Sequence, residues 1–165
     1  NTASFVLPTH LQNYKFGALQ LRSGLAQLCD AALFMHNDAH MAHGFIDPCN
    51  VYVTPTGDWK LFGFHFAEHV ATENDEAHLG WDFTNDKELP FYPPFECLAP
   101  EIMISNLMTI KSDVFSIGRI AYLLHRQQAG IRRDKVIKSA DEYRRYINHL
   151  NLSQSHINVG GNNQG

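Results

Sequence analysis

The first strong pattern along the chain is an apolar stripe with helical spacing. Apolar residues recur at three- and four-residue steps and predict one amphipathic helix from about Asn13 to His36. Gly17 and Gly24 lower its intrinsic helix propensity, so packing has to stabilise this helix. The predicted buried stripe consists of Ala18, Leu21, Leu25, Leu28, Ala32 and Met35.

A strand pattern follows the helix. Val51–Val53 and Trp59–Phe62 are short runs rich in β-branched and aromatic residues, and the five residues 54–58 between them are turn formers. This arrangement predicts a β-hairpin with a five-residue connection. Gly63 is expected to end its second strand.

The stretch from Glu68 to Glu96 is acidic, rich in proline towards its end, and shows little periodicity. A loop of this length inside a domain is either a functional segment or disordered. Within it, Tyr92–Phe95 has the tyrosine-x-x-bulky pattern read by sorting adaptors, or serves only local packing. Trp81–Phe83 is either a docking handle for a partner or folds back on its own lobe.

Helical periodicity returns in the last third of the chain. Pro100 suits a first helical turn, and a long helix is predicted from Ser112, as N-cap, to Arg126. A shorter helix is predicted from Asp141 to Leu150, opened by Asp141 or by the serine two residues before it. The predicted buried stripe of the long helix consists of Val114, Ile117, Ala121 and Leu124.

The length of 165 residues suits one hydrophobic core. We expect residues 1–150 to form a partial domain and residues 151–165, rich in Asn, Gln and Gly, to be a flexible tail. The chain lacks an initiator methionine, so we expect it to be a piece of a longer protein.

Composition excludes several classes of function. The formal net charge of −4 offers no basic field for a nucleic acid, and no run approaches the ~20 apolar residues of a membrane helix. The N-terminus lacks the features of a signal peptide. The three cysteines, Cys29, Cys49 and Cys97, are widely spaced, which argues against a disulfide framework and indicates a cytoplasmic protein. We expect all three to be small buried groups.

Four short motifs occur in an order typical of protein kinases. His43–Asn50 has the eight-residue frame of a kinase catalytic loop, with His43, Pro48 and Asn50 in place. Gly63-Phe64-His65 follows thirteen residues after Asn50, where kinases carry Asp-Phe-Gly.

The other two motifs lie further along the chain. Ala99, Pro100 and Glu101 match the Ala-Pro-Glu that closes a kinase activation segment. The run from Asp113 to Gly118 matches the Asp-x-Trp-Ser-x-Gly that begins the central helix, with Phe in place of Trp.

Together these motifs resemble the C-terminal lobe of a protein kinase. Their spelling is most similar to the SCY1-like pseudokinases, in particular the branch associated with clathrin-coated transport. The resemblance implies a mainly α fold with a short β-hairpin, which is the C-terminal lobe of a protein-kinase-like (in full, α+β) domain.

Three substitutions in the motifs predict that phosphoryl transfer is lost. Phe45 replaces the carboxylate that orients the attacking hydroxyl, and Gly63 replaces the carboxylate that binds magnesium. Asp47 replaces the loop lysine and would repel the transferred phosphoryl group. Asn50 remains as a remnant of the metal site, so no cofactor is expected from this chain, although the parent protein can be tested for ATP and magnesium.

The resemblance also implies structural roles. Gly44 stands where a kinase arginine grips a phosphorylated activation segment, so that grip is lost. Asp113 is expected to be a buried acceptor for N–H groups of the catalytic loop. Glu101 would pair with an arginine of a later helix, and Arg132, Arg133, Arg144 and Arg145 lie too early in the chain for that role.

The expected function is therefore a pseudokinase scaffold that binds other proteins. The resemblance implies clathrin and adaptor complexes as partners, and a peripheral location on Golgi or endosomal membranes and coated vesicles. One alternative is a serine/threonine kinase with residual ATP binding or phosphotransfer in the full-length parent. Another is a zinc site of His36, His40 and His43, whose spacing would put three imidazoles on one face of a continuous helix.

Overall fold

The computed structural model describes residues 16–70, 72, 75–78, 95–129 and 141–148. Helices dominate these ranges, and the strands form three small antiparallel pairs: β1 with β4, β2 with β3, and β5 with β6. The helices are α1 (Ala18–Asn37), α2 (Pro100–Ser105), α3 (Ile110–Gln128) and α4 (141–148). The strands are β1 (Met41–Ala42), β2 (Val51–Val53), β3 (Trp59–Leu61), β4 (Glu68–His69), β5 (Ala77–His78) and β6 (Leu107–Met108).

Helix α1 confirms that the first predicted helix exists, but it begins at Ala18, so Phe16 and Gly17 were wrongly predicted to be helical. Gly17 is its N-cap, and the Gln20 side chain accepts a hydrogen bond from the Gly17 N–H at 2.9 Å. Most of the predicted stripe faces the core, with Leu28, Ala32 and Met35 buried and Leu21 and Leu25 partly buried. Ala18 was wrongly predicted to be buried: it lies in the first turn of the helix and is exposed.

Gly24 is where the hairpin packs against α1. A Cβ at this position would overlap with the Trp59 ring, so only glycine lets the indole pack directly against the helix. One turn further on, the Gln27 side chain donates to Asp58 Oδ1 at 3.2 Å and accepts from the Trp59 N–H. Gly24, which lowers the intrinsic stability of the helix, is therefore required for the helix to pack against Trp59 of the hairpin.

The predicted hairpin and its five-residue connection are confirmed. Val51 pairs with Leu61 and Val53 with Trp59, and these four side chains are buried on one face. Strand β3 ends at Leu61, one residue earlier than predicted, and Phe62 is exposed.

The long helix α3 begins earlier than predicted. Thr109 is its N-cap and accepts from the Lys111 N–H at 3.1 Å, whereas Ser112 lies three residues later and completes a capping box. Ile117 and Leu124 are buried as predicted, but Val114 is 63% exposed. The core-facing side of the first turns carries polar residues with specific partners, and for that reason apolar periodicity alone misplaced the stripe.

The core has two parts. One cluster lies between α1, the hairpin and α3, and includes Leu28, Trp59 and Ile120. The other surrounds the start of α2 and strand β6, and it includes Met103 and Tyr143 of α4. The Tyr143 hydroxyl donates to the Leu98 carbonyl at 2.7 Å and so fixes α4 to the segment before α2.

Several predictions concern residues outside the described ranges. These are the start of the first helix at 13–15, the motifs at 81–83 and 92–94, residues 139 and 149–150, and the tail at 151–165. Phe95, the last residue of the tyrosine motif, is buried. Of the cysteines, only Cys97 is buried; Cys29 and Cys49 are exposed, which corrects the interpretation of all three as buried groups. Within the described part of the chain, no helix has the length and apolar character needed to cross a membrane.

Candidate functional site

The loop between β1 and β2 is held by one buried carboxylate on α3. Asp113 is fully buried and accepts from the His43 N–H at 2.8 Å and from the Gly44 N–H at 2.9 Å. The His36 imidazole, at the end of α1, lies 2.9 Å from the same carboxylate. Asp113 thus joins α1, α3 and the loop at one point.

His43 is held as a neutral imidazole. Its Nε2 lies 2.9 Å from the Phe62 carbonyl and donates to it, so Nδ1 is free to accept from the Phe45 N–H at 3.2 Å. Burial lowers the pKa of His43, which favours the same neutral form. Both ring nitrogens are engaged by backbone groups, and the residue fixes the loop to the end of the hairpin.

Gly44 takes a backbone conformation that an arginine would adopt only with strain. Its φ is +72°, and an added Cβ would overlap with the Met108 sulfur and lie 3.2 Å from the Phe66 carbonyl oxygen. The replacement of the kinase arginine by glycine is therefore built into the local packing.

Phe45 directs its side chain to another aromatic ring. The Phe45 and Phe66 rings meet edge to face, with centroids 5.1 Å apart and an interplanar angle of 87°. The residue is half-buried. The position that the motif spacing assigns to the orienting carboxylate therefore carries a hydrocarbon ring, which offers no hydrogen-bond acceptor.

Asp47 is turned into its own loop. It is 1% exposed and caps the short turn Pro48–Asn50, accepting from the Cys49 and Asn50 N–H groups. Burial raises its pKa to about 6, and the two hydrogen bonds oppose that rise. The sequence interpretation had this carboxylate facing a phosphoryl group; the structure corrects it, because the turn needs an acceptor at its N-cap.

Asn50 and Gly63, where the motif spacing predicts the metal site of a kinase, lie next to each other. The Asn50 amide donates from Nδ2 to the Phe45 carbonyl at 2.9 Å. Gly63 has φ +83°, and a Cβ built on it would overlap with the Asn50 amide. The amide therefore fills the space in which a metal-binding carboxylate would begin, and these residues do not fit magnesium-bound ATP.

The remaining motif residues lie at the start of α2 and within α3. Ala99 is the N-cap of α2 and Pro100 occupies its first turn, as predicted. Glu101 accepts from the Ser112 hydroxyl at 2.6 Å, an interaction that the expected arginine pairing did not foresee. Gly118 is exposed, and an added Cβ there would meet no atom within 4 Å.

The three histidines considered as a zinc site face different groups. His36 meets Asp113, and His43 meets the Phe62 carbonyl. Helix α1 ends at Asn37, so His40 lies outside the helix and has a backbone φ of 54°. The centroid of its ring lies 6.5 Å from that of His69. Across the described ranges, no cluster of three or more His, Cys, Asp or Glu side chains could hold a metal ion.

Two contacts of the site were not foreseen from the sequence: His36 with Asp113, and Phe66 with Phe45. The contact of His36 with Asp113 joins residues 77 positions apart, and the Phe45–Phe66 pair joins two aromatic residues across different loops. Periodicity carries no signal for such pairs. The motif spacing locates the two loops that carry Phe45 and Phe66, but it does not indicate that their rings meet.

The loop carries the catalytic-loop motif of kinases, and a buried aspartate at the start of a long helix holds it in place. These features define the C-terminal lobe of a protein-kinase-like domain. No family model matches the chain. It is 34% identical over 113 residues to the protein kinase domain-containing protein ppk32 of Schizosaccharomyces pombe, covering 68% of this chain and 15% of that protein. It is 30% identical to SCY1-like protein 2 of Mus musculus over 129 residues, 77% of this chain and 14% of that protein.

A third relative is the protein kinase-like protein SCY1 of Saccharomyces cerevisiae, 31% identical over 124 residues, covering 70% of this chain and 14% of that protein. The chain thus contains a protein-kinase-like region similar to part of the SCY1-like proteins. It spans only about a seventh of the length of these curated relatives.

Proposed function

We propose that this chain is part of a pseudokinase: a kinase-shaped scaffold that binds other proteins and does not transfer phosphate. The observation that carries the proposal is the Asn50 amide packed over Gly63. Phosphoryl transfer depends on metal ions positioned by carboxylate and amide oxygens. Here the amide is bonded to the loop backbone, and the carboxylate is replaced by glycine.

The rest of the loop supports the same proposal. Phe45 packs on Phe66 and offers no acceptor for a hydroxyl proton. Asp47 is buried against the N–H groups of the following turn, so its carboxylate is already engaged. Asp113 meanwhile keeps the loop in place. A scaffold needs the shape of the lobe and does not need the catalytic groups.

The biological setting is part of the proposal and follows from the resemblance to SCY1-like pseudokinases. It comprises a cytoplasmic protein, peripheral on Golgi or endosomal membranes and coated vesicles, with clathrin and adaptor complexes as partners. Purified clathrin terminal domain and adaptor complex, titrated into the full-length protein by calorimetry, test this part. Failure of both to bind would remove the trafficking role and leave the pseudokinase assignment unaffected.

A phosphotransfer assay on the full-length protein tests the loss of catalysis. We expect radiolabel transfer from ATP, to the protein itself or to a general substrate, to be equal with magnesium and with EDTA. The matched control is Asn50→Ala, which removes the remaining metal-site amide. If the unaltered protein transfers phosphate in a magnesium-dependent way and Asn50→Ala abolishes the transfer, the residually active kinase is correct and the pseudokinase proposal fails.

A restoration variant sharpens the assay. In Phe45→Asp with Gly63→Asp, both acids are present, but the new Cβ at residue 63 collides with the Asn50 amide. We therefore expect this variant to remain inactive and to lose stability. Magnesium-dependent transfer by the restored variant would show that the loop opens readily, contrary to the packing described above.

A further inference from the structure

The outer face of α1 carries large apolar side chains directly opposite the core. Leu19 is 80% exposed and Leu33 is 57% exposed, and the smaller Ala26 between them is also exposed. These residues follow one another at intervals of seven. Seven residues make nearly two helical turns, so the three side chains form one straight seam along α1, about 21 Å long.

The seam is distinct from the buried stripe of the same helix. The buried residues Leu28, Ala32 and Met35 lie on the face that packs against the hairpin and α3. Single exposed leucines are ordinary on protein surfaces, but apolar side chains aligned along a whole helix indicate a contact surface. Phe34, 62% exposed, widens the apolar surface at the C-terminal end of the seam.

Two opposite charges flank the seam at equal distances from its centre. Arg22 lies four residues before Ala26, and Asp30 lies four residues after it. Both are exposed, and neither forms an ion pair with another residue in the described ranges. The seam itself has the same symmetry, because Leu19 and Leu33 each lie seven residues from Ala26.

This arrangement is complementary to itself when one copy of the helix runs antiparallel to another. A two-fold axis at Ala26 brings Leu19 of one copy to the height of Leu33 of the other, and Arg22 to the height of Asp30. The small Ala26 side chains at the axis let the two helices approach closely. A parallel pairing would instead place Arg22 against Arg22 and Asp30 against Asp30, which is repulsive.

We propose that the exposed face of α1 is a homodimer interface, in which α1 packs antiparallel against α1 of a second copy of this chain. The occupant is a second copy because the same face supplies both halves of the apolar seam and both partners of the charge pairs. This inference goes beyond the scaffold function and does not depend on the state of the catalytic loop.

Sedimentation of the purified full-length protein, over a series of concentrations, tests the proposal. A single helix pair lies at the small end of specific interfaces, so we expect a dimer with a Kd on the order of 10 µM. Leu33→Asp removes the seam contact at both ends of the interface and should raise the Kd at least about thirtyfold.

Charge reversal separates this pairing from any other mode of association. Arg22→Asp and Asp30→Arg each create two like-charge contacts in the homodimer, and each should raise the Kd about tenfold. An equimolar mixture of the two variants should recover association. In the mixed dimer, a copy with an acid at both positions 22 and 30 meets a copy with an arginine at both, so every contact again joins opposite charges. The recovered Kd should lie within about threefold of the unaltered protein.

A matched control reverses an exposed charge elsewhere on the surface. Lys111→Asp on α3 should leave the Kd within about twofold of the unaltered value, since it lies outside the seam. Unchanged circular dichroism of every variant would exclude misfolding. The proposal is overturned if the protein is monomeric at on the order of 100 µM, which would show that something else covers this face. A dimer that ignores both reversals and their mixing would equally refute it.

Discussion

The Asn50 amide occupies the space in which the Cβ of any residue other than glycine would lie at position 63. The two residues flank the hairpin at its open end, Asn50 before β2 and Gly63 after β3, and Asn50 also donates to the Phe45 carbonyl at 2.9 Å. The loss of the acid at position 63 and the inward position of the asparagine are therefore coupled. We therefore expect that an acid placed at position 63 does not by itself create a metal site.

A first prediction follows for Gly63→Ala. The substitution combines a left-handed backbone (φ +83°) with overlap on Asn50, and we expect a loss of about 2–4 kcal/mol in the free energy of unfolding, measured in urea. Gly57→Ala is the matched control, because Gly57 has φ +91° and its Cβ would meet nothing within 4 Å. It should cost only about 1–2 kcal/mol, the backbone part alone.

A double-mutant cycle separates the contact from the backbone strain. Asn50→Ala removes the obstructing amide, so the cost of Gly63→Ala should fall by about 1 kcal/mol or more in that background. Equal costs of Gly63→Ala and Gly57→Ala in the unaltered chain would refute the coupling between Asn50 and residue 63.

A second prediction concerns the glycine in place of the kinase arginine. Gly44→Ala should destabilise the fold by about 2–4 kcal/mol, because φ is +72° and the new Cβ would overlap with the Met108 sulfur. Gly118→Ala in α3 should instead stabilise it by about 0.5–1 kcal/mol, since its Cβ enters open space on a helix. Thermal melting of both variants checks the opposite signs, and a neutral Gly44→Ala would contradict the packing of this loop.

A third prediction concerns the carboxylate that holds the catalytic-type loop. Asp113→Asn places an N–H₂ group where three donors converge, so at least one of the His36, His43 and Gly44 donors loses its acceptor. We expect a loss of about 2–4 kcal/mol, seen in urea unfolding and in faster amide exchange at Gly44. Asp141→Asn is the control: its side chain is 79% exposed, and its bond to Arg144 should be worth at most about 0.5 kcal/mol.

Much of the fold could be predicted from the sequence, because local rules determine it. The stripe ending at Met35 and the turn residues between Val53 and Trp59 located α1 and the hairpin correctly. Pro100 likewise marked the start of α2. These features depend on spacing within a single element, and such spacing is visible in one sequence.

The errors arose where polar groups lie inside the protein. In α3, Asp113 and Ser116 are buried because each bonds a distant segment, and their presence shifted the predicted stripe onto exposed Val114. Asp47, which we expected to repel a phosphoryl group, is buried for the same reason: its partners are N–H groups of a turn whose shape the sequence does not reveal. Motif spacing predicted which residues belong to the candidate site, and the structure shows what each of these side chains contacts.

The last prediction is a pH dependence centred on Asp47. Its pKa is raised from the ordinary 3.8 to about 6 by burial, so between these values the folded state binds a proton that the unfolded state has lost. The contribution of Asp47 to stability therefore falls as pH rises through this window, by up to about 3 kcal/mol, and levels off about one pH unit above the folded pKa. Asp47→Asn removes this slope while keeping an oxygen for the Cys49 and Asn50 N–H groups. We expect the free energy of unfolding of the variant, minus that of the unaltered protein, to rise from pH 4 to pH 7, measured by urea unfolding.

His43, whose pKa burial lowers, acts in the opposite direction, but it is common to both proteins and its effect cancels in the difference. If the difference in free energy of unfolding between the two proteins does not change with pH, the pKa of Asp47 is the same in the folded and unfolded states and the prediction is wrong.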